Sequence, residues 1–172
     1  MSLIHHECEL ERHIVEQLAA SGWQVGETGA YDKARALYPA DVVAWLQTSQ
    51  PQAWDKLTAL NGANTEATLL DRLAKALDAK DGGTVVVIRD GFQIAGAGTL
   101  KMSEGLPEDD RNDSTRQRYA CNILRVVPQL RYSLDNENAI DLAFFINGIP
   151  VATVELKTDF TQSVWAAVRQ YK

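Results

Sequence analysis

Residues 140–157, Ile140-Asp141-Leu142-Ala143-Phe144-Phe145-Ile146-Asn147-Gly148-Ile149-Pro150-Val151-Ala152-Thr153-Val154-Glu155-Leu156-Lys157, read as two apolar strands joined by a turn. Asn-Gly between such runs is a strong hairpin signal, because both residues tolerate the positive φ of a turn whose twist matches its strands. Strands this apolar belong to a sheet covered on both faces. Within them Asp141 stands near the start of one strand, and Glu155 and Lys157 stand near the end of the other. A hairpin brings those two ends together. Glu155 and Lys157 are two apart, so an extended chain points both to the same face.

Charged residues are rarely buried in apolar strands unless they are paired or hold a metal. Two carboxylates, Asp141 and Glu155, suit Mg²⁺, which keeps several waters and lowers the pKa of one of them; an ammonium such as Lys157 positions that water or offsets phosphate charge. The backbone carbonyl of Leu156 is a further candidate ligand. Phosphodiester hydrolysis is the reaction these groups fit. The same three residues also suit a solvated ion-pair cluster at strand ends. Register separates the two readings. With a strict two-residue loop and unbroken pairing, Asp141 lies opposite Val154 and faces away from Glu155. A site therefore requires a shift of one residue, through a three-residue loop with a bulge or a break near Pro150 or at Asp141.

Working outward, residues 9–20 carry Leu10, Ile14 and Leu18 at steps of four, and Gly22 stops that helix. Residues 40–47 and 52–60 read as two short helices divided at Ser49-Gln50-Pro51 and closed by Asn61-Gly62; residues 65–79 form another, with Leu69, Leu70, Leu73 and Leu77 on one face. At Thr84-Val85-Val86-Val87-Ile88 the character changes to a β-branched strand, with Asp90-Gly91 turning into a second extended piece over 92–100. Residues 104–118 are polar and read as an exposed loop. Residues 122–133 form a third extended stretch, with Pro128 marking an edge or bulge. Residues 161–172 read as a helix without a stop, which points to a cut chain or to a continuation.

The fold expected is one α/β domain over residues 1–172: helices first, then a mixed sheet of four to five strands flanked by helices. The 172 residues suffice for one core; 45% are hydrophobic and 23% charged. Neither a membrane-spanning run nor a secretory leader is read, so a cytoplasmic location is expected. Cys8 and Cys121 are too few and too distant for a disulfide framework or structural zinc. A net charge of −6 excludes a surface that grips nucleic acid throughout. DNA affinity would have to come from other domains or subunits.

The stretch Asn147-Gly148-Ile149-Pro150-Val151-Ala152-Thr153-Val154-Glu155-Leu156-Lys157-Thr158-Asp159-Phe160-Thr161-Gln162-Ser163 closely resembles the nuclease core of type I restriction enzyme R subunits. There an Asp-bearing strand is followed by Phe-x-Asn-Gly-x-Pro and then Glu-Leu-Lys. Upstream pieces are similar too: Ser49-Gln50-Pro51-Gln52-Ala53-Trp54, Asn122 with Gln129-Leu130-Arg131-Tyr132-Ser133, and the Glu-rich opening helix over 7–18. The resemblance implies a restriction-endonuclease-like, PD-(D/E)xK fold and a type I site-specific deoxyribonuclease, at the N-terminus of a longer subunit with ATP-dependent motor domains. No Gly-x4-Gly-Lys-Ser/Thr loop occurs in this chain, so no ATP site is expected here. Implied partners are double-stranded DNA and the modification and specificity subunits, within an antiviral restriction-modification system.

Carried over residue by residue, the resemblance makes Asp141 and Glu155 Mg²⁺ ligands, with the Leu156 carbonyl beside them, and Lys157 the catalytic lysine. Ile140 stands where the wider superfamily often has Pro. Gln170 occupies the place of a Gln-x3-Tyr element, but Tyr171 follows at once and the chain ends. A helical acid contributes to the site in related nucleases, with Glu11 the better candidate and Glu7 the lesser; an ordinary exposed acid is the competing reading. Lys101, Arg125 and Arg131 make either a modest basic edge near the site, with Arg131 an accessory DNA contact, or scattered solvated charges. His5 and His6 fall on a terminus expected to be mobile. Trp23, Trp45, Trp54 and Trp165 are assigned to packing rather than base stacking. A catalytically silent module that docks the motor onto partner subunits is the alternative function.

Overall fold

The computed structural model describes residues 3–80, 82–107 and 112–156, with only the backbone of residues 3–6. The chain opens with helix α1 (Leu3–Ala20), two turns longer at its start than the apolar stripe predicts, so the backbone of His5 and His6 is helical. Strand β1 (Gln24–Val25) follows, then α2 (Pro39–Ser49), α3 (Pro51–Asn61) and α4 (Thr65–Leu77). Proline opens both α2 and α3, where its missing N–H costs nothing.

Two expectations are corrected next. Residues 84–88 are not a strand but lie in α5 (Gly83–Asp90). A short β-branched run is ambiguous by periodicity, and the helix penalty for Val or Ile is only about 0.5 kcal/mol per residue. Packing on α4 outweighs it: Val87 is buried and Ile88 half-buried in the helical core, while Val85 is left in solvent. The extended piece after Gly91 does not begin the main sheet. It folds on itself as β2 (Phe92–Ile94) and β3 (Gly98–Leu100), a two-stranded sheet whose Phe92, Ile94 and Leu100 complete the helical core. The polar stretch expected as a loop contains α6 (Asp113–Ala120), which has no buried residue. Its signal is capping: the Asn112 side chain accepts from Thr115 N–H, Asp113 lies in the first turn and Arg118 in the last.

The main sheet adds β4 (Leu124–Arg131), β5 (Ala139–Ile146) and β6 (Ile149–Val154) in the order β1-β4-β5-β6. Only β1 and β4 are parallel; the other pairs are antiparallel. One face of the sheet carries Val127, Leu130, Ala143 and Phe145 against Tyr31 and Tyr38. Phe144, next in the strand, points the other way and meets the edge of Trp23, 5.5 Å between ring centroids. Helix α1 packs against β1 and β4. Trp45 is buried and Trp54 half-buried in the helical core; Trp165 lies outside the described residues. Among the described residues β6 is an outer strand with residues 151–154 exposed, rather than covered on both faces as its apolar sequence predicts.

The Asn147-Gly148 turn is a buried joint between sheet and helices. Asn147 and Gly148 have φ of 50° and 82°, as a two-residue hairpin turn requires. The fully buried Asn147 side chain donates to the Met102 carbonyl (2.9 Å) and to Asn122 Oδ1 (2.9 Å), and accepts from Ile123 N–H (2.7 Å). Gly148 C=O accepts from Tyr38 N–H at 2.9 Å. A Cβ on Gly148 would stand 2.5 Å from the Tyr38 carbonyl and 2.6 Å from Val42 Cγ2. Gly148→Ala is therefore expected to cost at least about 2 kcal/mol in urea denaturation, combining a left-handed φ with a clash against backbone. An unchanged midpoint would contradict this close approach.

Candidate active site

The register shift required for a site is present, and it falls near Pro150. Ile146 pairs with Ile149 and Phe145 with Pro150 across a two-residue turn; beyond a break at Phe144/Phe145, Phe144 pairs with Ala152, Ala143 with Thr153 and Leu142 with Val154. Val151 is the extra residue. Continued by one position, the pairing sets Asp141 opposite Glu155 rather than Val154. Directly opposed residues of an antiparallel pair share a face.

Asp141 is anchored across the hairpin, its Oδ2 accepting from Leu156 N–H at 2.7 Å. On its other side β4 is distorted. Pro128 pairs with Leu142 and Leu130 with Ile140, while Gln129, the residue between, drops out of the ladder with φ of 48°. Such backbone costs a non-glycine residue about 1–3 kcal/mol and persists where surrounding structure enforces it. Val127 and Leu130, three apart, are buried in the same cluster, which unbroken strand alternation forbids. The distortion occurs beyond the end of β1, where Pro128 has no strand partner on that side among the described residues. From this position Gln129 Nε2 donates to Asp141 Oδ1 at 3.3 Å and to Glu11 Oε2 on α1. A small cleft of about 80 Å³ results, lined by Glu7, Cys8, Glu11, Gln129, Asp141 and Leu156.

The helical acids and the strand-end acid, distant in sequence, thus meet at one place. Glu155 adjoins Leu156 and is half-buried. Lys157 and Gln170 lie outside the described residues. Of the two readings of Lys101, Arg125 and Arg131, the described residues favour scattered charges over a basic edge beside the cleft. Arg125 is taken up by Asp41, and the Lys101 backbone pairs with the Gln50 side chain. Arg131 binds Glu137 at 2.8 Å and does not line the cleft. A larger cleft of about 650 Å³ lies elsewhere, where Arg35 is already paired with Asp71 (2.7 Å) and Asp32 (2.6 Å).

Sequence reasoning missed Gln129, although its neighbour Pro128 marked the irregularity. It missed also that the most distinctive residues do structural work. Gln50 Nε2 donates to the Lys101 carbonyl (2.7 Å) and Gln50 Oε1 accepts from Lys101 N–H (3.0 Å); Trp45 Nε1 donates to the same carbonyl at 2.8 Å. Asn122 holds Glu104 through both backbone groups as well as meeting Asn147.

The chain belongs to the family described as type I restriction enzyme R protein N terminus (HSDR_N), which matches residues 5–172. Neither a curated protein nor a solved structure matches it. Among the described residues no helix is long and apolar enough to cross a membrane.

Proposed function

We propose that this chain is the DNA-cleaving domain of a type I restriction complex, a Mg²⁺-dependent nuclease of the PD-(D/E)xK kind. The observation that carries the proposal is the one-residue shift in the hairpin, which pairs Leu142 with Val154, so that one further step of the same register would face Asp141 with Glu155, and Asp141 is tied to Leu156 N–H. Family membership supplies the context. The shift leaves Val151 outside the ladder and exposed.

Among the described residues no three acidic, His or Cys side chains are grouped to hold a metal. Mg²⁺ does not require three; it takes one or two carboxylates and keeps water for its remaining positions. The Asp141 and Glu155 carboxylates and the Leu156 carbonyl are an all-oxygen set of that kind, and they would hold the ion. Bound there, the ion would supply an activated water and offset charge on the phosphate. The chain's own residues do the rest. Leu156 N–H orients Asp141, the Gln129 amide ties Asp141 to Glu11, and Lys157 is assigned the positioning of the attacking water. DNA is delivered by modification and specificity subunits, which reconciles a net charge of −6 with a polyanionic substrate.

The test is made in the full-length subunit assembled with its partners. Glu155→Gln and Lys157→Ala are each expected to lose DNA cleavage while ATP-driven translocation continues. Cleavage retained by both variants would leave the acids a structural role and favour a module that docks the motor.

A further inference from the structure

We propose that Gln129 is a positioning residue: its side-chain amide, shared between the Glu11 and Asp141 carboxylates, fixes Asp141 for binding a divalent cation and pins α1 to the sheet beside the cleft. The proposal rests on the nuclease reading of Asp141. It is argued from the strand distortion and from the chemistry of the donor.

The backbone is strained at Gln129 and nowhere else in β4, and this position is the one opposite Asp141. Regular pairing at this position would already share the face of Asp141. In the left-handed conformation Gln129 Nε2 donates to two acids that come from different elements, Glu11 on α1 as well as Asp141 on β5. The two N–H groups of an amide are matched to two acceptors. A lysine here would also satisfy two carboxylates, but its charge would compete with a cation for them. A neutral amide orders the acids and leaves their charge for the metal. Outer partners of this type orient ligands, and their loss commonly weakens metal affinity about 10–100-fold. Asp141 is then held at both oxygens, by Leu156 N–H at Oδ2 and by Gln129 at Oδ1, which prevents rotation of the carboxylate.

Two variants test the role. Gln129→Glu keeps the length and shape of the side chain but turns its shared donor into an acceptor. Gln129→Asn keeps an amide that falls one methylene short, and Asn tolerates left-handed backbone well, so one variant remains readable if the other fails to fold. In the chain itself, the Mn²⁺ concentration giving half-maximal thermal stabilisation is expected to rise about tenfold or more in both variants. The metal-free melting temperature should fall in both variants, because the tie between α1 and the sheet is lost. In the assembled enzyme both variants should need about tenfold more Mg²⁺ for half-maximal cleavage, recover near-normal rates at saturating Mg²⁺, and keep the same KM for DNA. Equal metal midpoints in the variants and the unmutated chain overturn the proposal; if Asp141→Asn still abolishes cleavage, the nuclease reading stands without it. Cleavage that survives Asp141→Asn defeats the nuclease reading and this inference together.

Discussion

Asp141→Asn is expected to lower DNA cleavage by the assembled enzyme at least about a hundredfold while ATP-driven translocation continues at its normal rate. The substitution is nearly isosteric, so the hairpin should survive it. What changes is charge and acceptor capacity. Both Asp141 oxygens face donors, Leu156 N–H at 2.7 Å and Gln129 Nε2 at 3.3 Å. An amide must turn its NH2 toward one of them, losing that hydrogen bond as well as half of the carboxylate's capacity for a cation. Hydrogen exchange at the Leu156 amide would report the local loss separately from activity. An enzyme that cleaves normally with Asn at position 141 would remove the principal ligand from the proposed mechanism.

The largest expected effect on stability lies away from the cleft, at Arg125 and Asp41. Arg125 Nε and Nη2 donate to the two Asp41 oxygens at 2.6 and 2.7 Å, in a fork that matches the carboxylate. Both side chains are nearly buried, at 12% and 5% exposure. The guanidinium also lies 4.3 Å from the Tyr38 ring centroid and donates to Gln24 Oε1 at 2.6 Å. The hydrogen bonds to the Asp41 carboxylate raise the Arg125 pKa above its ordinary value. Asp41 stands in the first turn of α2, where a negative charge is favoured. Arg125→Ala strands a buried carboxylate and is expected to cost about 3–5 kcal/mol by urea denaturation. Asp41→Leu with Arg125→Met removes both charges, and should cost less than either single replacement. Single replacements costing under about 1 kcal/mol would show that water screens the pair after all.

The hairpin was legible because Asn147-Gly148 allows few other conformations and because register obeys a period of two. That arithmetic alone required a shift of one residue, and Val151 supplies it. The four helices before residue 80 were legible from the spacing of their apolar residues and the turn residues between them. Residues 84–88 were not, since five β-branched residues in a row satisfy a buried helix and a buried strand equally; the contact with α4 decides, and it lies in the tertiary structure. Strand β1 was illegible for a different reason. Two residues carry no periodicity, and Gln24-Val25 become a strand only by pairing with Arg125-Val126. At the site, Asp141 and Glu11 could be named from residue type and resemblance. Gln129 could not, because an amide in a strand carries no chemical signal until its backbone is seen to be left-handed.

The bulge at Val151 also imposes a rule of length on any sequence that shares this arrangement. Thirteen residues separate Asp141 from Glu155, two of them forming the turn and one standing outside the ladder. The unpaired residue restores the parity that an even turn would break. At the same separation, a relative whose turn takes up three residues faces its acids only without the bulge, and one whose turn takes up four must keep it. The number of residues in the turn is therefore counted odd or even by the chemistry at the far end of the hairpin, about five residues away.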